Sequence, residues 1–183
     1  MYFVFEGPDG GGKSSAIEKV RSAYPQIKMM ARASHSVHGP VPQLDDWVDE
    51  SVSFLHGADW SGDGAFDRHP LISELIYGPV VRGRMPGRFN DEPWLRMRVR
   101  ELANRVVVVW CIPPFDAAEH AMTGSSQMDG VVDRYRGIHS AYVAMRAVWP
   151  GLRQYTHDYT RDPDGRGLFE VIRQHLGRNQ NVE

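Results

Sequence analysis

The sequence predicts an α/β fold, in which a parallel sheet is covered by helices on both faces. Three observations carry this. Short aromatic or β-branched runs alternate with stretches of helical spacing along the chain. One run, Val106 to Ile112, is apolar throughout, as a strand buried on both faces requires. An unbroken G-x-x-x-x-G-K-S stretch, Gly7 to Ser14, falls between the first strand-like run and the first helix-like one.

Each element has its own warrant. Tyr2 to Phe5 is aromatic and β-branched and is closed by Gly7-Pro8. Ser14 to Tyr24 puts Ala16, Ile17 and Val20 on one helical face, and Pro25 stops it. Ile27 to Ala31 reads as a second strand. After the loop at Gly39-Pro40-Val41-Pro42, helical spacing returns at Leu44, Trp47, Val48, Val52 and Leu55. A short Ala65-Phe66 strand ends at Asp67. Pro70 suits the first turn of a helix carrying Leu71, Ile72, Leu75 and Ile76, with Gly78-Pro79 as its expected end. Arg82 to Arg88 reads as a loop, and Asp91 caps a helix through Leu95, Val99 and Leu102 with Pro93 in its first turn. Val106 to Ile112 is stopped by Pro113-Pro114. Helices are expected over Phe115 to Met122 and Val132 to Val148, separated by a Gly/Ser-rich loop. A last strand covers Leu152 to Thr156 and a last helix Leu168 to Leu176. Residues 1–177 read as one domain, with 178–183 as a frayed tail.

Composition narrows the function classes. With 183 residues, 42% hydrophobic and 24% charged, the chain can bury a core without disulfides or a structural metal. A net charge of −2 excludes a generally basic nucleic-acid coat, so any DNA contact needs a local patch. The single Cys111 lies in an apolar run and fits a reducing compartment. No apolar stretch reaches 18 residues and no signal-peptide pattern opens the chain, so a cytoplasmic protein with no membrane partner is expected. Only Lys13, Lys19 and Lys28 among the 21 basic residues are lysine. A G/C-rich genome accounts for that, and so does bidentate phosphate recognition, which arginine performs better.

Chemistry concentrates at the first strand–helix junction. Glycines such as Gly7, Gly10, Gly11 and Gly12 let main-chain amides turn inward around phosphate oxygens, and the helix N-terminus adds a favourable dipole. Lys13 can reach the β- and γ-phosphates, Ser14 can ligate magnesium, and Ser15 follows in the first helical turn. A glycine-rich turn at a helix start is the plainer reading. A dinucleotide fingerprint fails, because Ser15 stands where the third glycine belongs. In parallel sheets ligands gather at the carboxyl ends of strands, and Gly7, Arg32, Asp67 and Pro113 fall there. Asp67-Arg68 emerges beside Lys13; the plainer reading of this pair is a capping acid next to a surface ion pair.

Phe5 to Ser14 resembles the opening of the thymidylate kinases, a branch of the P-loop nucleoside and nucleotide kinases. Asp67-Arg68-His69 resembles that family's Asp-Arg-aromatic motif, and Val109 to Pro114 its fourth strand and the start of its lid helix. The resemblance implies a five-stranded parallel sheet with the first strand central, a lid region at about 115–137, ATP and Mg2+ as donor and a nucleotide-like acceptor. It implies that Asp67 helps hold magnesium, that Arg68 grips the acceptor or the transferring phosphoryl group, and that Asp9 lies near the acceptor's sugar hydroxyl. His69, the third residue of that motif, and Arg32, at the carboxyl end of the second strand, are expected at the acceptor.

The chain departs from that family in two stretches. Pro42 to Phe66 contains five Asp, one Glu and no Lys or Arg, where the family sandwiches thymine. Thr123 to Gln127 offers no lid arginine. Arg134 and Arg136, just beyond, either close over the ATP phosphates or are solvated charges on the long helix. Arg82 to Arg105 carries seven Arg against three acids. The loop residues Arg82, Arg84 and Arg88 are expected to contact phosphate, and Arg96, Arg98 and Arg100 to be solvated. Bacteriophage relatives of this kinase group are associated with phosphorylation of 5-hydroxymethyl pyrimidines within DNA. The resemblance therefore leaves two acceptors, a free pyrimidine deoxynucleotide or a hydroxymethylated base in DNA, the latter requiring base extrusion. A non-kinase ATPase or nucleotide switch is the alternative from another class. A homodimer stays open.

Overall fold

The computed structural model describes residues 1–30, 44–55, 62–123, 127 and 129–176. Five strands form one all-parallel sheet: β1 (Tyr2–Glu6), β2 (Lys28–Met29), β3 (Gly64–Asp67), β4 (Val106–Cys111) and β5 (Gln154–His157). Their order is β2-β3-β1-β4-β5, so β1 is central. The helices are α1 (Lys13–Ala23), α2 (Leu44–Phe54), α3 (Pro70–Arg82), α4 (Glu92–Arg105), α5 (Phe115–Met122), α6 (Tyr135–Val148) and α7 (Arg166–Leu176).

Strand alternation sorts the core into two layers. Phe3 and Phe5 of β1 with Val107, Val109 and Cys111 of β4 face α1 and α7, where Ala16, Ile17, Val20, Leu168 and Ile172 meet them. Tyr2, Val4, Val106, Val108 and Trp110 face the opposite layer of α2, α3, α4 and α6. Every residue of β1 and β4 is buried, so their apolar runs are explained by two covered faces. Register brings the carboxyl end of β1 level with that of β3, pairing Phe5 with Asp67, and this places the Gly7 loop beside Asp67-Arg68.

Four expectations shift. Among the described residues the second strand is Lys28–Met29, an edge strand paired with β3, and Ala31, its expected end, lies outside them. Gly78-Pro79 does not end α3, which runs to Arg82 and is closed by Gly83 at φ +66°. Pro79 forfeits one helical hydrogen bond, yet burial of Ile76, Tyr77 and Val81 on either side holds the helix together. The loop expected at 82–88 is shortened accordingly, and Gly87–Asn90 forms a single 3-10 turn. The long helix starts at Tyr135, since residues 129–134 are taken up in turns. Arg32 and the tail at 178–183 lie outside the described residues.

Candidate active site

The loop from Glu6 to Lys13 leaves the central strand and turns into α1. Gly12 precedes the helix at φ +82°, a left-handed conformation that a residue with a Cβ adopts at a cost. Gly10, at φ +72°, lies so close to α5 that a Cβ would stand 2.1 Å from the carbonyl oxygen of Ala118. Neighbouring main chain therefore confines the loop to this path, and the Gly11 amide closes a turn on the Pro8 oxygen at 3.0 Å. Lys13 is buried, and its ammonium donates to the carbonyl oxygens of Gly7 (2.9 Å) and Pro8 (2.7 Å). Burial first, and the Arg68 guanidinium second, push this ammonium down to about 8, against the pull of Asp9. Ser14 and Ser15 remain exposed at the start of α1.

A cleft of about 560 Å³ opens over this loop. Asp9, Gly10, Gly12, Lys13, Ser14 and Ser15 form one wall; Asp67, Lys19, Ala121, Gln127, Tyr159 and Pro163 form the rest. Tyr159, after β5, packs its ring where a Cβ of Gly12 would fall and donates from its hydroxyl to the Ala117 oxygen at 3.0 Å. It thereby ties α5 to the glycine loop. Lys19 donates to the Pro163 oxygen and closes the far end.

Beside the cleft lies a network centred on Arg68, which is buried at φ +68°. Holding a residue with a Cβ in this region costs of order 1–3 kcal/mol, and the surrounding bonds over-determine it. Its Nη2 donates to Asp9 Oδ1 (2.9 Å) and to the Tyr77 hydroxyl (3.1 Å), and its Nη1 donates to the Tyr142 hydroxyl. The Tyr77 hydroxyl donates onward to Asp9 Oδ2 at 2.8 Å. Tyr135 donates to the main-chain oxygen of Asp9. Burial alone would push the Asp9 carboxyl up, but Arg68, Lys13 and the Tyr77 hydroxyl outweigh it and hold it below the ordinary carboxylate value. The fully buried Glu6 goes the other way, because burial outweighs the neighbouring cations. Arg68 stays charged: burial is outweighed by the tyrosines and carboxylates around it.

The expected site residues divide. Gly7, Asp9, Gly10, Gly11, Gly12, Lys13, Ser14, Ser15 and Asp67 sit in or directly around the cleft, and Arg68 meets it through Asp9. His69, expected at the acceptor, is wholly buried instead. Its Nδ1 accepts from the Leu71 amide and caps α3, and its ring packs edge-on to Phe66. Burial pushes the imidazole down to about 3, so it is neutral. Arg82 ends α3 and pairs with the fully buried Glu74, two turns back on the same helix face. Arg88 pairs with Asp49 of α2 and lies over the Trp94 ring. Arg98, expected to be solvated, bridges Asp49 and Glu101. Arg84 is exposed on the loop after α3. Arg134 donates to the Val81 oxygen at the end of α3, and Arg136 stacks on Phe115 at 4.1 Å.

Five residues of the site escaped sequence reasoning: Glu6, Tyr77, Tyr135, Tyr142 and Tyr159. A signal existed for three of them. Tyr135 and Tyr142 stand seven apart on α6, on one helical face, and both are buried. Glu6 is the one charged residue of an otherwise aromatic and aliphatic strand.

The arrangement sets two lysines, an arginine and a helix N-terminus around a cleft that also holds the Asp9 and Asp67 carboxylates and the Ser14 and Ser15 hydroxyls. It can bind a polyphosphate and, through Ser14 and Asp67, a divalent cation. Among the described residues no group of three His, Cys, Asp or Glu could hold a metal alone. A hard cation here would need phosphate oxygens to complete its shell, as magnesium commonly does. No family model matches the sequence, and no curated protein matches it. Among solved structures, the chain is similar to the YorR protein from Bacillus subtilis in complex with phosphorylated GDP. The TM-score is 0.65 at 14% identity, covering 96% of this chain and 98% of that one. It is also similar to deoxyadenosine kinase from M. mycoides with bound dATP, with a TM-score of 0.55 at 9% identity, covering 99% of this chain and 100% of that one. The chain shares the α/β fold of these two structures, built here on a five-stranded parallel sheet with a central first strand.

Proposed function

We propose that the chain is a phosphotransferase that moves the γ-phosphoryl group of ATP to a pyrimidine deoxynucleotide-type acceptor. One observation carries the reading: a lysine-bearing glycine loop, Ser14 and Asp67 face a single cleft, and Asp9 links that cleft to Arg68. The likeness to a deoxyadenosine kinase and to a protein binding a phosphorylated nucleotide supports it.

The amides of Gly10, Gly12, Lys13 and Ser14 and the Lys13 ammonium hold the donor's phosphates. Ser14, and Asp67 through water, place Mg2+, which when bound neutralises charge on the β- and γ-phosphates. Lys13 and Arg68 stabilise charge as the acceptor oxygen bonds to phosphorus and the bridging bond to the β-phosphate breaks. Asp9, accepting from the acceptor's sugar hydroxyl, orients the acceptor so that its phosphate oxygen, with no proton to lose, attacks. The low proton affinity of Asp9 suits a hydrogen-bond acceptor better than a strong base, and the loose transition state of phosphoryl transfer asks little of a base. Arg84 is the exposed arginine nearest in sequence to α3 and is assigned to the acceptor's anion.

A hydroxymethylated base in DNA is the second acceptor. Support for it is weaker, because Arg82, Arg88, Arg96 and Arg98 are each paired with the chain's own acids, which leaves little surplus charge for a DNA backbone. Among the described residues no helix is long and apolar enough to cross a membrane, and a cytoplasmic location is part of the proposal. Radiolabelled ATP offered with pyrimidine deoxynucleoside monophosphates, deoxynucleosides and hydroxymethyluracil DNA tests the reading. Label on a small nucleotide supports it, label only on polymer transfers it to the DNA acceptor, and ATP hydrolysis without any labelled acceptor refutes it.

A further inference from the structure

Glu6 and Arg68 are opposite charges buried together beneath the cleft, yet they do not make direct contact. Arg68 Nη1 stands 3.9 Å from Glu6 Oε2. The Tyr142 hydroxyl bonds to both, accepting from Arg68 Nη1 and donating to Glu6 Oε2 at 3.1 Å. Glu6 is anchored from its other side by the His69 amide (2.7 Å) and the Ser73 hydroxyl. On its far side the guanidinium is held by Asp9 at 2.9 Å and by the Tyr77 hydroxyl at 3.1 Å, so it is suspended between this anchored carboxylate and the Asp9–Tyr77 pair. Tyr142 itself is immobile: it is fully buried on α6, its ring is edge-on to Tyr77, and Tyr135 on the same helix face grips the Asp9 main chain.

We propose that Tyr142 is a positioning residue whose hydroxyl acts as a spacer, holding the Arg68 guanidinium off Glu6 and at the edge of the cleft beside Asp9. The geometry stands by itself; the effect on rate rests on the phosphotransferase reading. Removing the hydroxyl while keeping the ring lets the two charges close to an ordinary charge-assisted distance of about 2.8 Å. That draws the guanidinium roughly 1 Å back from Asp9, and a misplacement of that size can cost on the order of 100-fold in rate. The donor site is untouched, since Lys13, Ser14 and the loop glycines make no contact with Tyr142 among the bonds described.

The test combines a crystal structure of Tyr142→Phe with steady-state kinetics of the wild type, Tyr142→Phe, Glu6→Gln and the double variant, using ATP and the accepted nucleotide. Expected are a direct Arg68–Glu6 contact in Tyr142→Phe and a kcat lowered about 10- to 100-fold with KM for ATP within about twofold. Glu6→Gln weakens the pull on Arg68, so alone it loses less than Tyr142→Phe, and in the Phe background it restores part of kcat. A purely packing role for Tyr142 predicts the opposite, a double variant slower than either single one. An Arg68–Glu6 gap that stays near 3.9 Å in Tyr142→Phe overturns the proposal, as does an unchanged kcat or a slower double variant. If the wild type phosphorylates nothing, the functional reading falls, and the crystallographic gap still decides the spacer. Should Tyr142→Phe not fold, Glu6→Gln alone decides by the Arg68–Asp9 distance: retained contact supports the spacer, and loss of it overturns it.

Discussion

Replacing Gly10 with alanine separates what the loop needs for phosphate from what it needs for packing. The G-x-x-x-x-G-K-S pattern leaves this position free, yet a Cβ there would lie 2.1 Å from the Ala118 oxygen and 3.0 Å from the Met122 amide nitrogen. Both contacts are main chain, so no rotamer change relieves them. The φ of +72° adds about 1 kcal/mol for a residue with a Cβ, and forcing α5 outward adds about 1–3 kcal/mol. The expected loss is about 2–4 kcal/mol, a sizeable part of the 5–15 kcal/mol typical of a domain. At about 2–4 °C per kcal/mol for a chain of this size, Tm should fall by roughly 5–15 °C. Gly83→Ala is the internal control, because φ is +66° there but nothing lies within 4 Å. It should cost only about 1 kcal/mol. Thermal melts of both variants, with calorimetric titration of Mg·ATP, check the reasoning. Equal Tm values for the two variants, together with unchanged nucleotide affinity in Gly10→Ala, would refute it.

Three other outcomes are expected. Lys13→Ala should keep the fold by circular dichroism while lowering phosphoryl transfer about 100- to 1,000-fold, and wild-type turnover in that variant would remove Lys13 from the chemistry. Arg82→Ala strands the buried Glu74 carboxylate and should cost about 3–5 kcal/mol in urea unfolding, with much of the loss recovered in the Glu74→Leu/Arg82→Leu double variant. If Arg82 instead serves the acceptor, kcat/KM falls in Arg82→Ala while the urea midpoint does not move. Stability should also decline on acidification through His69. The folded ring takes no proton until about pH 3, whereas the unfolded chain binds one near pH 6.5, so below 6.5 protons favour unfolding. Between pH 7 and pH 5 this amounts to about 2 kcal/mol. His69→Asn keeps a capping acceptor for the Leu71 amide but does not titrate, and its stability–pH slope over that range should be visibly flatter. Equal slopes would show that His69 is not the titrating group.

Much of the fold was legible because local pattern and burial agree. Strands covered on both faces must be apolar throughout, so Tyr2–Glu6 and Val106–Cys111 announce themselves. Capping signals placed α4 at Asp91, whose carboxylate accepts from the Trp94 amide. Where local and tertiary terms oppose, the reading failed. Gly78-Pro79 is a stop signal in isolation, and the burial of Tyr77 and Val81 overrode it.

The place of the glycine loop and its lysine between first strand and first helix was legible in the sequence alone, because a strand turning sharply into a helix favours residues that tolerate such a backbone, and Asp67-Arg68 was legible as the charged end of a short apolar run. The partners of Arg68 were decided only by tertiary structure. Tyr77, Tyr142 and Glu6 lie up to 136 residues apart along the chain, and no local preference foretells that they meet. The same holds for the arginines after α3: a count of charges cannot tell a cation waiting for phosphate from one already paired with Asp49 or Glu74. Pairing depends on which helices the sheet brings side by side, and that is a property of packing, not of spacing.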